Sequence, residues 1–162
     1  MGIGPVLARP DAANGFLGDF VLRVARSFAH VTGRDLFTEA GIDPMSPGES
    51  VWSGDFALLT HRGDADAMLN YGNCFALDLW ECDWDQFVRT PSRATAPSDD
   101  VEERTVMMDQ VARDGFVSGY EGRRVSRTGR LFVIRDVTVW RLAEPSSESF
   151  GVAAFFRSVH RL

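Results

Sequence analysis

The chain of 162 residues is 44% hydrophobic, enough to bury one core of ordinary size, and its length points to one domain with an N-terminal extension. A formal net charge of -6 disfavours binding to phosphate backbones, so nucleic acid is not an expected partner. All 17 basic residues are Arg and none is Lys, which excludes Schiff-base and Lys-nucleophile chemistry.

Residues 1–13 carry two Pro, several Gly and Ala and no apolar period, the composition of a tail. From Asn14, a plausible N-cap, residues Phe16, Leu17, Phe20, Val21, Val24, Phe28 and Val31 recur at helical spacing until Gly33 stops them. This amphipathic helix and a connector rich in Pro, Gly and Ser fill residues 14–50, and Trp52 at its end reads as a docking anchor. The stripe Phe16, Phe20, Val24 and Phe28 either covers the chain's own core or meets the same helix of a second copy, so a homodimer through the N-terminal helix is one expectation. No apolar run reaches the roughly 20 residues of a membrane helix, and the N-terminus lacks the order of a secretory signal. A cytoplasmic protein with no membrane partner is expected.

Residues 51–162 hold the main domain. Two apolar runs, Phe56 to His61 and Met68 to Tyr71, flank Arg62-Gly63-Asp64-Ala65-Asp66 and predict a hairpin; the tripeptide Arg62-Gly63-Asp64 is read as its turn. Cys74 to Glu81 then sets Phe75, Leu79 and Trp80 at helical spacing. Cys74 and Cys82, on one helix, would stand about 12 Å apart, too far for a disulfide, so buried thiols are expected. A Pro-flanked loop from Thr90 to Ser98 leads to a helix whose start offers capping boxes at Asp99 with Glu102 or Asp100 with Glu103, and whose stop is Gly115. Phe116 to Ser126, Arg130 to Leu142 and Phe150 to Val159 predict three antiparallel strands. Two strands, short helices and three strands give an α+β fold of PAS-like order: a five-stranded antiparallel sheet with helices on one face, plus the N-terminal amphipathic helix.

Particular stretches narrow this further. Leu59-Thr60-His61, Asn70-Tyr71-Gly72-Asn73, Asp83-Trp84, Pro91-Ser92-Arg93, Glu103-Arg104, Gly119 to Ser126, Thr138-Val139-Trp140 and Gly151 to Ala154 together resemble the MEKHLA domain over about residues 51–157. That family is PAS-related and occurs at the end of plant homeodomain leucine-zipper factors and as short bacterial proteins. Arg141 and Val152 depart from its usual Asn and Gln. The resemblance implies the fold and a sensor-like role, and nothing catalytic. A flavin-photoactive relative would carry its reactive Cys where this chain reads Thr90-Pro91-Ser92-Arg93; haem or flavin is compatible with the fold but not indicated by a motif.

Strand alternation puts His61 beside Ala57 and Leu59, where an imidazole can ligate haem, bind an anion, transfer protons or simply bond a loop carbonyl. The same rule puts Tyr120, Gly122, Arg124 and Ser126 on one face. An inward Arg124 needs a carboxylate, from Asp136 or from an acidic ligand. Phe132, Ile134, Thr138 and Trp140 share a face of the next strand by alternation and, with Met107, Met108 and Phe155, line either plain core or a pocket. The candidate ligand-binding set is therefore His61, Asn70, Tyr120, Arg124, Trp140, Met107, Met108 and Phe155. Three scattered His and two Cys lack metal-site spacing, and neither Gly-x-Ser-x-Gly nor a phosphate loop occurs. The expected function is a PAS-like sensory domain binding a small organic molecule; the alternatives are a small pocket enzyme on the same scaffold, with His61 as acid or base, and a pure dimerisation module with a filled core.

Overall fold

The computed structural model describes residues 7–63, 66–145 and 148–162. Its strands are β1 (Ala57–His61), β2 (Leu69–Gly72), β3 (Phe116–Val125), β4 (Leu131–Leu142), β5 (Gly151–Phe156) and β6 (Ser158–Arg161). The first five form the expected antiparallel sheet in the order β2-β1-β5-β4-β3. The strand expected from Phe150 to Val159 breaks at Arg157, and β6 continues in the same register along the first half of β4: Thr138 faces Phe155, and Arg135 faces Ser158. Part of the hairpin turn, Asp64 and Ala65, lies outside the described residues.

Among the described residues, six α-helices surround the sheet. The N-terminal helix α1 (Gly18–Thr32) ends at Gly33, which takes the left-handed conformation (φ 73°) that terminates helices cheaply. It begins later than the Asn14 cap predicted. Gly15, Phe16 and Leu17 all have positive φ, and Asn14 instead joins Asp11 in a capping box on a tight 3-10 turn over Ala12–Leu17. Residues 7–13, expected as tail, are docked, with the Leu7 carbonyl accepting from Trp84 Nε1 at 3.2 Å. The connector holds two short helices, α2 (Leu36–Ala40) and α3 (Pro47–Trp52), and Trp52 meets Trp84 edge-on at 6.2 Å. Then come α4 (Cys74–Trp80), α5 (Trp84–Phe87), a 3-10 turn at Ser92–Thr95, and α6 (Val101–Asp114), which Gly115 terminates as expected. Neither predicted capping box forms on α6: Asp100 makes no cap bond, because both of its oxygens accept from Arg123 at 3.0 Å, and a charge-assisted fork is stronger than a cap.

Asn73 fastens α4 to the sheet. Its Oδ1 accepts from the backbone N–H of Ala76, capping the helix, and of Leu58; its Nδ2 donates to the carbonyls of Val51 and Phe56 at 2.9 and 2.7 Å. Every donor and acceptor of this fully buried amide is therefore used in joining α3, β1 and α4.

Cross-strand partners share a face, so the register phases the whole sheet. Ala57, Leu59 and His61 pair with Phe156, Ala154 and Val152, and Ala154 pairs with Val139, which pairs with Val117; all lie on one face, here called inner. Trp80 of α4 covers that face, its ring 5.2 Å from Phe132 and 6.3 Å from Phe156. Two irregularities interrupt the β3–β4 ribbon. Gly119 (φ 66°) lies in an extra residue of β3 before Tyr120, and Asp136 (φ 53°) in an extra residue of β4 before Val137; the two cancel, and the register beyond them is unchanged.

The bulge at Asp136 overturns one sequence-based expectation. Strict alternation would put Phe132, Ile134, Thr138 and Trp140 together, but one extra residue inverts the phase. Phe132, Ile134, Val137 and Val139 face inward, whereas Thr138, Trp140 and Leu142 face out beneath α1, where Phe28 meets Trp140 edge-on at 4.8 Å. Both faces of the sheet are thus covered. Val24 and Phe28, assigned to a second copy in the homodimer expectation, are already fully buried against their own chain, and Phe20 is half-buried with its ring 5.5 Å from Tyr71. That removes Val24 and Phe28 from the expected interface, while Phe16 and Phe20 stay partly exposed.

Candidate functional site

A cavity of about 60 Å³ lies between the inner face and α6. The sheet supplies an apolar floor of Leu59, Ile134, Val137, Val139, Val152 and Ala154. Met107 and Met108 of α6 and Trp80 of α4 form the roof, and Ser92 and Thr95 of the 3-10 turn close one side. Into this lining project His61, Arg104 and Arg124.

Arg124 reaches it because β3 alternation turns Tyr120, Gly122 and Arg124 inward, as expected. The residue is 5% exposed, and its guanidinium donates to the Arg123 carbonyl at 2.7 Å and to the Tyr120 hydroxyl at 3.2 Å, both neutral acceptors. Gly122 makes this meeting possible: a Cβ there would stand 2.5 Å from Tyr120 Oη and 2.9 Å from Arg124 Nη1. The Tyr120 hydroxyl donates onward to Glu103 at 3.1 Å, and burial raises its pKa. Asp136, the expected partner of Arg124, is at the bulge and makes no ion pair with it.

Arg104 hangs from α6 one turn before Met107 and Met108 and donates to Ser92 Oγ at 2.5 Å. Burial first, and the charge of Arg124 second, pull its pKa below the ordinary guanidinium value. Among the described residues neither Arg104 nor Arg124 makes a salt bridge. The carboxylates nearby are engaged elsewhere, Asp100 by Arg123 and Glu103 by Tyr120.

Of the residues named from sequence, His61, Arg124, Met107 and Met108 line the cavity, and Tyr120 stands just behind Arg124. Nδ1 of His61 lies 2.9 Å from the Arg62 carbonyl, the modest role anticipated for it. Three assignments are corrected. Trp140 and Phe155 face outward, the first under Phe28 and the second against Phe56 at 5.4 Å, while Asn70 is drawn to Thr60, whose hydroxyl donates to its Oδ1 at 2.5 Å. Arg104, Ser92 and Thr95 were missed. Helical spacing from Met107 and Met108 pointed to Arg104, and both Ser92 and Arg104 lie in the stretches that carry the family resemblance.

Cys74 and Cys82 are free thiols, half-buried rather than buried, and burial pushes both pKa values up; neither lines the cavity. A flavin or haem does not fit this site. Both are far larger than 60 Å³, which is well below the roughly 300 Å³ of pockets for drug-sized ligands, and no thiol stands at the wall. Among the described residues no cluster of His, Cys, Asp and Glu is arranged to hold a metal, and no helix is long and apolar enough to cross a membrane.

A family profile described as the MEKHLA domain matches residues 19–161, reaching back to take in α1. A search of curated proteins finds no match. Among solved structures, the chain is similar to a PAS domain from Colwellia psychrerythraea, at 15% identity and TM-score 0.59, covering 68% of this chain and 91% of that one. It is similar to a PAS domain of a LuxR-family transcriptional regulator from Burkholderia thailandensis in complex with ethanol, at 20% identity and TM-score 0.51, covering 70% and 96%. The photo-excited blue-light photoreceptor Vivid gives 16% identity and TM-score 0.51 over 62% and 76%. These likenesses establish the PAS fold.

Proposed function

Because the chain belongs to the MEKHLA domain family, we propose that it is a PAS-like sensory module whose signal is the filling of the inner-face cavity by a small organic molecule. One observation carries this reading: Arg124, buried, stands at the wall of a largely apolar cavity without a carboxylate partner among the described residues, and convergent polar groups in an apolar lining are the mark of a binding site. The size of the cavity sets the ligand. At about 10–15 Å³ for each water-sized group, 60 Å³ admits a molecule of about four to six non-hydrogen atoms. The Burkholderia PAS domain similar to this chain is in complex with a molecule smaller still, ethanol. A pure dimerisation module would need no such space.

The test is native mass spectrometry of the freshly purified protein, followed by a thermal-shift screen of small metabolites at millimolar concentration. At least one compound raises the melting temperature, and Ala154→Leu, which fills the floor, abolishes the rise. A screen in which no compound acts, or in which the filled variant responds like the parent, removes this function.

A further inference from the structure

The cavity is not neutral in what it offers. The two guanidiniums and the Ser92 hydroxyl present donors at its wall. A guanidinium has five N–H donors; two bonds are recorded for Arg124 and one for Arg104. Ser92 accepts from Arg104 and so has its own proton to give, and it is 4% exposed. Thr95, by contrast, donates to the Ser92 carbonyl, which holds that turn in shape. Two guanidiniums at one small cavity repel each other and are costly to desolvate, a cost that persists in the fold unless an anion enters between them. The depressed pKa of Arg104 reports the same frustration. Opposite the donors, the floor is wholly aliphatic.

Resting on the sensory reading above, we infer that the ligand is a small monocarboxylic acid, its carboxylate held by Arg104, Arg124 and the Ser92 hydroxyl and its short aliphatic body lying on Leu59, Val139 and Ala154. Arginine suits this role because its planar fork matches both oxygens of a carboxylate. The aliphatic floor favours an organic acid over inorganic phosphate, which would leave that surface wet. Gly122 belongs to the device: it lets Tyr120 lean on Arg124 and so aims the fork at the cavity.

Thermal shift and calorimetry on the full chain, at fixed ionic strength, compare propionate and butyrate with their neutral isosteres propionamide and butyramide, and with inorganic phosphate. The acids raise the melting temperature by about 4 °C at ten times Kd, and the amides do not. Arg124→Met and Arg104→Met each weaken acid binding at least tenfold, and Arg124→Met melts no lower than the parent, because it removes a buried charge that has no carboxylate partner among the described residues. Should either variant fail to fold, Gly122→Ala, which displaces Tyr120 and Arg124 at their flexible ends, must weaken the acids more than tenfold instead. Amides acting as well as acids overturn the anion assignment and leave the sensory reading standing. Phosphate acting alone overturns the organic acid. Silence of all five compounds at millimolar concentration overturns the assignment too, whereas the sensory reading falls only if the metabolite screen is blank or the filled variant responds like the parent.

Discussion

Replacing Asn73 by Ala tests how α4 is held to the sheet. The substitution leaves the Leu58 and Ala76 N–H groups without their side-chain acceptor and removes one donor each from the Val51 and Phe56 carbonyls. All four residues are 2% exposed or less, so water does not replace the lost bonds. The Val51 carbonyl keeps the Gly54 N–H at 3.2 Å, which softens its share. Counting about 1.5 kcal/mol for each of the two orphaned N–H groups, with little from the carbonyls, the loss is about 3 kcal/mol. Urea unfolding followed by tryptophan fluorescence, with a slope of about 2 kcal/mol/M, then shows a midpoint lower by about 1.5 M. Asn73→Asp is worse than Ala at neutral pH, because a carboxylate oxygen would replace the donor that faces two carbonyls. Burial would raise the pKa of that Asp in the folded state, so its deficit shrinks as pH falls toward the unfolded carboxyl value and grows as pH rises through the folded one. A midpoint within 0.3 M of the parent for Asn73→Ala, or an Asp variant insensitive to pH, refutes the role given to this amide.

Phe28→Ala opens a cavity between α1 and Trp140 and lowers the melting temperature by about 10 °C, from a loss of about 4 kcal/mol; an unchanged transition would show that α1 is an appendage and not part of the core. The acid limb of stability depends on Glu81 and Asp100, whose pKa values are lowered, the first chiefly by the Ser126 and Thr128 hydroxyls and the second by Arg123. Depressed folded pKa values stabilise above the unfolded carboxyl range of about 4 and lose that contribution as pH falls through the folded values. The double variant Glu81→Gln, Asp100→Asn therefore flattens the fall of the urea midpoint between pH 5 and 2.5, and an identical fall in both proteins contradicts the assignment.

Much of this arrangement was legible without coordinates, because strands and helices advertise their period. The hairpin, the three later strands, the Gly33 and Gly115 stops and the inward turn of His61 and Arg124 all follow from period-two or period-3.6 patterns. The assignment of Trp140 failed for a local reason: periodicity carries no sign of a bulge, and Asp136 sits in the left-handed region without being Gly. The late start of α1 failed similarly, since the left-handed run Gly15 to Leu17 is dictated by the contacts of the docked N-terminus and not by propensity. Arg104 went unnoticed because a charged residue on an exposed-looking helix is ordinarily solvated, and only the third dimension brings it over the sheet beside Arg124. The Asp100 cap was lost to a partner 23 residues away, which no local motif announces.

The paired irregularities at Gly119 and Asp136 bear on how this fold tolerates insertions and deletions. In an unbroken ribbon a lost residue inverts everything downstream of it. Here each strand already carries one supernumerary residue, so deleting Asp136 alone would turn Thr138, Trp140 and Leu142 toward the cavity and Val137 and Val139 toward α1, exchanging the lining of two separate cores. Deleting Gly119 as well would restore hydrogen-bond register in the ribbon but not the facing of β4. An added or lost residue in this stretch leaves the facing of β4 unchanged only in the Arg127–Gly129 turn, while the middle of β4 behaves as a reading frame that admits no shift.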